Sequence, residues 1–235
     1  MQLSVRLAAV AQMAEGAECL ADIGTDHGYI PIYLMEQGKL RRALAMDINK
    51  GPLLRAQENI QMHGLQESIE TRLSDGAKML RPGEADTVVI AGMGGALTMR
   101  ILSDGAEALK GIKTFVLQPQ SEIEKVRRFL HVNGFCIEAE NMVKDEGKYY
   151  PLMRAVYGRQ ETWETYEYRF GKYLIEQKNP VLLEFLQKEE KKYRQILERL
   201  GENDSRDAVK RGKELQNSLF EIEKAISLLS NEGNS

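Results

Sequence analysis

Cysteine is scarce in this chain of 235 residues, which has two, Cys19 and Cys136. Both fall in apolar, strand-like runs and read as buried thiols. They have no zinc-ligand spacing with the three scattered histidines, His27, His63 and His131, so no metal is expected. Long apolar runs are missing: none approaches the roughly 18 residues that a bilayer span needs. Met1 to Glu18 lacks a charged start, an apolar block and a cleavage site, so the sequence predicts no signal peptide, no membrane and a cytoplasmic protein. Positive charge is not in excess either. The net charge is −3 and the pI about 5.8, which gives no overall signature of nucleic-acid binding, although a local basic face stays open. There are no internal repeats, and low complexity is confined to the tail Ser230–Ser235.

What is present is an ordinary globular composition, 43% apolar, with a repeating pattern. Residues 3–15 read as a helix, with Leu3, Leu7 and Val10 on one face and Gly16 as a stop. Apolar runs at Cys19–Gly24, Ala43–Ile48, Ile69–Ser74, Thr87–Ala91 and Thr114–Leu117 then alternate with helical segments at Tyr29–Gln37, Pro52–His63, Leu97–Leu109 and Glu122–Asn133. This predicts an α/β fold with parallel strands covered by helices on both faces. After Asn133 come two extended runs, Phe135–Val143 and Tyr149–Tyr157, which predict a hairpin with a long turn at Lys144–Lys148. A parallel sheet ending in an antiparallel pair is the plan of the Rossmann-like, seven-stranded class I methyltransferases. From about Thr162 charges become dense. Leu182, Leu186, Tyr193, Ile196 and Leu200, and after Gly201-Glu202-Asn203-Asp204 also Leu215, Leu219, Ile222, Ile226 and Leu229, recur at helical spacing. They predict a coiled-coil-like helical hairpin whose first arm Asn179-Pro180 interrupts or kinks. The expected domains are residues 1–160, a cofactor-binding methyltransferase domain, and residues 161–235, the hairpin.

The most informative stretch runs from Asp22 to Pro31, where the first strand meets the first crossover helix. Gly24 and Gly28 permit a tight turn and a close ligand, and ligands of open parallel sheets bind at such strand ends. A dinucleotide turn wants glycine where Asp26 stands, because pyrophosphate sits on the helix N-terminus. Carboxylates at Asp22 and Asp26 would repel it. They suit a ligand with an ammonium or sulfonium, and S-adenosylmethionine carries both. Asp47, before Ile48 at the end of the second run, is placed to accept from ribose hydroxyls. Asp75 after the third run can accept from the adenine amine, with Gly76 and Ala77 leaving room for the ring. Each acid alone is weak; three after consecutive strands are not. The simpler reading of Asp26 is a solvated or capping acid.

A second glycine turn, Gly92-Met93-Gly94-Gly95, follows the fourth run. Taken alone it resembles a dinucleotide fingerprint, but Leu97 fills the third glycine position and the next strand ends in Gln118-Pro119, not an acid. In the methyltransferase reading it faces the acceptor. It lacks the acid, amide or proline that polarises an exocyclic amine, and suits an acceptor with its own lone pair, such as a ring nitrogen. Met93 either packs on a flat ring or is core.

These motifs, with Leu117-Gln118-Pro119-Gln120 and Gly147-Lys148-Tyr149-Tyr150, resemble the bacterial tRNA (adenine-22-N1)-methyltransferase family, closely over residues 1 to about 158. The resemblance implies transfer of a methyl group from S-adenosylmethionine to N1 of adenine 22 in tRNA. Cofactor contacts are then expected from Asp22, Gly24, Thr25, Asp26, His27, Gly28, Asp47, Ile48, Asp75, Gly76, Gly92 and Met93. Asp26 and Met93 are the catalytic candidates, and Tyr29, Gly94, Gly95, Gln118, Pro119 and Arg127 the substrate contacts. Candidate phosphate contacts are Arg6, Lys39, Arg41, Arg42, Lys125, Arg127 and Arg128, each equally readable as a solvated charge. Lys188, Lys191, Lys192 and Arg194 on the hairpin could extend that face. Three alternatives stay open: methylation of a small molecule or protein, a non-catalytic cofactor-binding interaction protein, and a nicotinamide oxidoreductase.

Overall fold

The computed structural model describes residues 1–200 and 206–230. The polar break at Gly201–Asp204 and the tail beyond Ser230 lie outside the described residues. The chain forms two compact units, Met1–Thr162 and Trp163–Ser235.

The first unit is a seven-stranded sheet. Its strands are β1 (Cys19–Ile23), β2 (Arg42–Asp47), β3 (Ile69–Leu73), β4 (Thr87–Met93), β5 (Thr114–Pro119), β6 (Phe135–Asp145) and β7 (Lys148–Tyr157), in spatial order β3-β2-β1-β4-β5-β7-β6. The first five run parallel, and β7 lies antiparallel between β5 and β6. The order reverses beside β1, between β2 and β4, the switch point at which such sheets bind ligands. Central strands are buried on both faces, β5 throughout, which is why they read as unbroken apolar runs.

Helices α1 (Val5–Met13), α2 (Tyr29–Glu36), α3 (Lys50–Met62), α4 (Gly95–Asp104) and α5 (Ile123–Val132) complete this unit. Ser4 caps α1 by accepting Leu7 N–H. Helix α4 is shorter than its periodicity predicts. It stops at Gly105, where a side chain would run into Ala77. The β6–β7 turn is also tighter than expected. Lys144 pairs with Tyr149 and Asp145 with Lys148, leaving Glu146 and Gly147 at φ 46° and 77°, the two-residue type I′ turn that matches strand twist. Cys19 and Cys136 are half-buried rather than enclosed.

The second unit is helical: α6 (Thr165–Phe170), α7 (Lys172–Glu176), α8 (Pro180–Leu200) and α9 (Arg206–Ser230). Asn179-Pro180 starts α8 instead of kinking a longer arm. Asn179 Oδ1 accepts the N–H groups of Val181 and Leu182, both at 3.0 Å, and proline at the first helical position gives up no hydrogen bond. Helices α8 and α9 pack on each other. Leu182, Leu186, Ile222, Ala225 and Leu229 are buried, whereas Tyr193, Ile196, Leu200, Leu215, Leu219 and Ile226 are half-buried. No described helix is long and apolar enough to cross a membrane.

Candidate active site

The strand ends carrying the three acids are stitched side by side. After β1 the chain turns at Gly24, φ 82°. Gly24 N–H and Thr25 N–H both donate to Met46 O of β2, at 2.7 and 2.9 Å, and Ser74 N–H after β3 donates to Asp47 O at 2.8 Å. Asp22, Asp47 and Asp75 therefore stand on adjacent strand ends. Gly28, φ 68°, then opens α2.

A cavity of about 300 Å³ lies at this edge, lined by Asp22, Gly24, Thr25, Asp26, His27, Gly28, Tyr29 and Gly92 among the residues expected to bind ligand, and also by Arg6, Leu7, Ile30, Ala91 and Gln120. Asp22 is 5% exposed. Burial pushes its carboxyl up to about 6; the Thr25 hydroxyl works against this and the Asp47 carboxylate adds to it. Thr25 is near enough for that effect, yet its Oγ1 is buried and completes no hydrogen bond. A buried carboxyl and an orphaned hydroxyl in one cavity are groups that a polar, cationic ligand would satisfy.

Asp26 differs from Asp22. Its side chain is 61% exposed and pairs with Arg55 of α3 at 2.5 Å, with His27 Nε2 at 3.5 Å. Its charge is thus shared. The His27 and Tyr29 rings stack, 4.8 Å between centroids and 8° between planes, making a flat wall at the cavity. Asp47 holds Asn49 N–H through Oδ1 at 2.7 Å, and the exposed Ile48 follows it. Asp75 pairs with Lys78, which holds its carboxyl below the usual range. Asp47, Ile48, Asp75 and Gly76 line no part of this cavity; they flank it across β2 and β3.

The second glycine turn is built differently. β4 continues past Ala91 to Met93 through a register shift at Gly92. Met93 does not face the cavity: a Cβ on Gly24 would overlap its methyl group, so its side chain fills the space that Gly24 leaves. Gly95 N–H donates to Ser121 Oγ at 3.2 Å, and a Cβ there would collide with Ser121 O. Gly95 is thus a packing glycine, whereas Gly94 is exposed.

Three expected substrate contacts are buried. Gln118 is fully buried; its Oε1 accepts Gly92 N–H at 3.2 Å and Arg6 Nη1 at 3.1 Å. Pro119 is buried beside it. Arg127 is 1% exposed and its Nε donates to the equally buried Glu140 at 2.7 Å, so it cannot reach a phosphate. A bulge in β6 between Ile137 and Ala139 turns Glu140 inward, against the strict alternation that would place it outside. Arg6, which also lines the cavity, sits on α1, outside the glycine motifs, and no local signal separates it from surface arginines.

The tRNA (adenine(22)-N(1))-methyltransferase family, TrmK, matches residues 20–224. The tRNA (adenine(22)-N(1))-methyltransferase of Bacillus subtilis is 34% identical over 188 residues, 78% of this chain and 79% of that one. A Streptococcus pneumoniae structure in complex with S-adenosyl-L-methionine is 31% identical with a TM-score of 0.86, covering 96% of this chain and 100% of that one. An M. capricolum TrmK structure holding S-adenosyl-homocysteine is 29% identical with a TM-score of 0.84, over 97% of this chain and 100% of that one. With the switch-point cavity, the acidic strand ends and these likenesses together, the chain belongs to the tRNA (adenine(22)-N(1))-methyltransferase family.

Proposed function

We propose that this protein transfers the methyl group of S-adenosylmethionine to N1 of adenine 22 in tRNA, with the cofactor held by residues 1–160, and that it works in the cytoplasm. The observation that carries this reading is the cavity in which buried Asp22 and the orphaned Thr25 hydroxyl meet the backbone of Gly24 and Gly92. S-adenosylmethionine supplies an electrophilic methyl on a sulfonium. Asp22 would hold the methionyl ammonium, and a cation there would drive its carboxyl to the ionised form. Thr25 gains the partner it lacks. Asp47 accepts from ribose hydroxyls, and Asp75 accepts from the adenine amine while sharing Lys78.

The target base has to enter face-on, at a cost of a few kcal/mol if turned out of folded RNA. The parallel His27 and Tyr29 rings offer it a stacking wall. The bare backbone of Gly92 to Gly94 lets its edge approach. Adenine N1 brings its own lone pair, so no side chain has to remove a proton before attack, and this fits a turn without acid or amide. Holding N1 in line with the methyl group would supply several kcal/mol of the barrier. The methylated ring is cationic, and Asp26 is placed to stabilise it once Arg55 yields part of its hold. Lys39, Arg41, Arg42, Lys125 and Arg128 each pair with a surface acid. Exposed pairs of this kind are worth about 1 kcal/mol or less, so a phosphate can displace the acid.

The test is incubation with S-adenosylmethionine and unmodified tRNA, digestion to nucleosides and mass spectrometry. 1-Methyladenosine that disappears when adenine 22 is replaced is the expected result. Cofactor binding with no methylated nucleoside would overturn the tRNA assignment.

A further inference from the structure

Helix α3, which lies outside both glycine turns, grips the segment that carries the Asp26 carboxylate and the His27 and Tyr29 rings. Asn59 Nδ2 donates to His27 O at 2.9 Å. A Cβ on Gly28 would stand 3.6 Å from Ala56 Cβ and 3.7 Å from Ile60 Cδ1, so these two residues pack against the turn. Arg55, one helical turn before Asn59 and on the same face, donates through Nη2 to Asp26 Oδ1 at 2.5 Å.

These contacts differ in how readily they exchange. The Asn59 bond is part-buried and ends on a backbone carbonyl. The Arg55 pair stands open to solvent, with side chains 48% and 61% exposed, a setting in which an ion pair is worth about 1 kcal/mol or less. Among the described residues Arg55 has no second partner. A guanidinium has five N–H donors in a fork that matches a phosphate, so most of those on Arg55 stay available. Its position is particular too. The acids opposite Lys39, Arg42, Lys125 and Arg128 line no part of the cavity, whereas Asp26 lines it. A nucleotide whose base stacks on His27 and Tyr29 brings its own phosphates to this rim, where Arg55 holds the residue next to His27. Once a phosphate takes the guanidinium, Asp26 keeps only His27 Nε2, at 3.5 Å, and the cavity in front of it. A carboxylate neutralised in the free protein then faces the base as the base becomes cationic.

We infer that Arg55 exchanges Asp26 for a backbone phosphate beside the target nucleotide of the tRNA, so that RNA docking itself uncovers the carboxylate at the acceptor wall. This rests on the tRNA reading above. The experiment is binding of unmodified tRNA by the full-length protein over a range of salt concentrations. Wild type is compared with the double variant Asp26→Asn/Arg55→Gln, which loses one charge of each sign and so keeps the net charge. The double variant should bind about three- to tenfold more weakly, with a log–log salt slope shallower by about one. Arg55→Lys should keep the slope and lose less affinity, because it keeps the charge and gives up the fork. An uncharged methylphosphonate linkage at one of the two positions flanking adenine 22 should reproduce the loss in wild type and add none in the double variant. Equal affinity and slope in wild type and the double variant would mean that the pair stays closed on the RNA, and would overturn the inference. So would methylphosphonates that affect the two proteins alike at both positions. So would calorimetry in which Arg55→Gln alone weakens S-adenosylmethionine about tenfold, the mark of a residue that serves the cofactor. If wild type neither binds nor methylates the tRNA, the tRNA reading itself fails and this inference with it.

Discussion

The turn after β1 and the turn after β4 share one backbone device, a glycine with positive φ between a buried parallel strand and a helix. Their neighbours make them different. The first is tied by its own N–H groups to β2, and its side chains Asp22, Thr25 and Asp26 line the cavity. The second is tied to β5 by Gln118 and to the loop after it by Ser121, and its one large side chain, Met93, packs on Gly24. The comparison teaches that a glycine turn is read by what its missing side chains make room for. At Gly24 and Gly95 that is packed protein, at Gly94 the Ser121 hydroxyl, and at Gly92 the Arg6 guanidinium at the cavity.

The sharpest way to break this contrast is Gly24→Ala. Its positive φ and the overlap with the Met93 methyl should together cost about 2–4 kcal/mol of stability, with cofactor affinity falling more than about 100-fold, read by denaturation and calorimetry. In a Met93→Ala background the same change should cost only about 1 kcal/mol. Equal costs in the two backgrounds would show that Met93 does not fill that space.

Next in size is Asp22→Asn. The Asp22 carboxyl ionises at about 6 in the fold against 3.8 as its ordinary value. Between those pH values the unfolded chain has lost its proton and the folded one has kept it. Stability is therefore full below about 4 and falls as pH rises through about 6. The drop is about 3 kcal/mol at most, taking 1.36 kcal/mol per pH unit. Cofactor affinity should move the opposite way, tightening up to about tenfold across the same window, because the ionised carboxylate is the form that holds an ammonium. The Asn variant should lose both trends; a profile that keeps them would assign the titration to another group.

On the second turn, Gln118→Leu should cost about 1–3 kcal/mol, since it strips the acceptor from Gly92 N–H and Arg6, and tRNA affinity should change far less than stability. The smallest effect belongs to Gly94→Ala. Gly94 has φ −66° and meets only the Ser121 side-chain oxygen, at 3.2 Å, so stability should move by about 0.5 kcal/mol or less. Methyl transfer should fall about threefold if the acceptor edge passes over this backbone. No change in rate would remove Gly94 from the acceptor path.

Much of this was legible in the chain. Alternating apolar runs and helical periods determined the parallel sheet and its antiparallel end, because a strand buried on both faces and a half-buried helix need those periods. The acids after β1, β2 and β3 were legible as neighbours at one edge of the sheet, because parallel strands put their carboxyl ends there. The family resemblance named the reaction, and family membership agrees with it.

Tertiary structure alone decided how the charges are used. Arg127 and Arg128 are neighbours in one helical pattern, yet one is buried against Glu140 and the other paired at the surface with Glu124, because a bulge in β6 turned an acid inward. Arg6 and Arg41 look alike in sequence, yet only Arg6 lines the cavity. Asp22 and Asp26 lie four residues apart and differ in burial and partner. Periodicity is a property of one segment, and it survives in the sequence. A charge's burial and partner are set by a second segment far along the chain, and only the folded packing brings the two together.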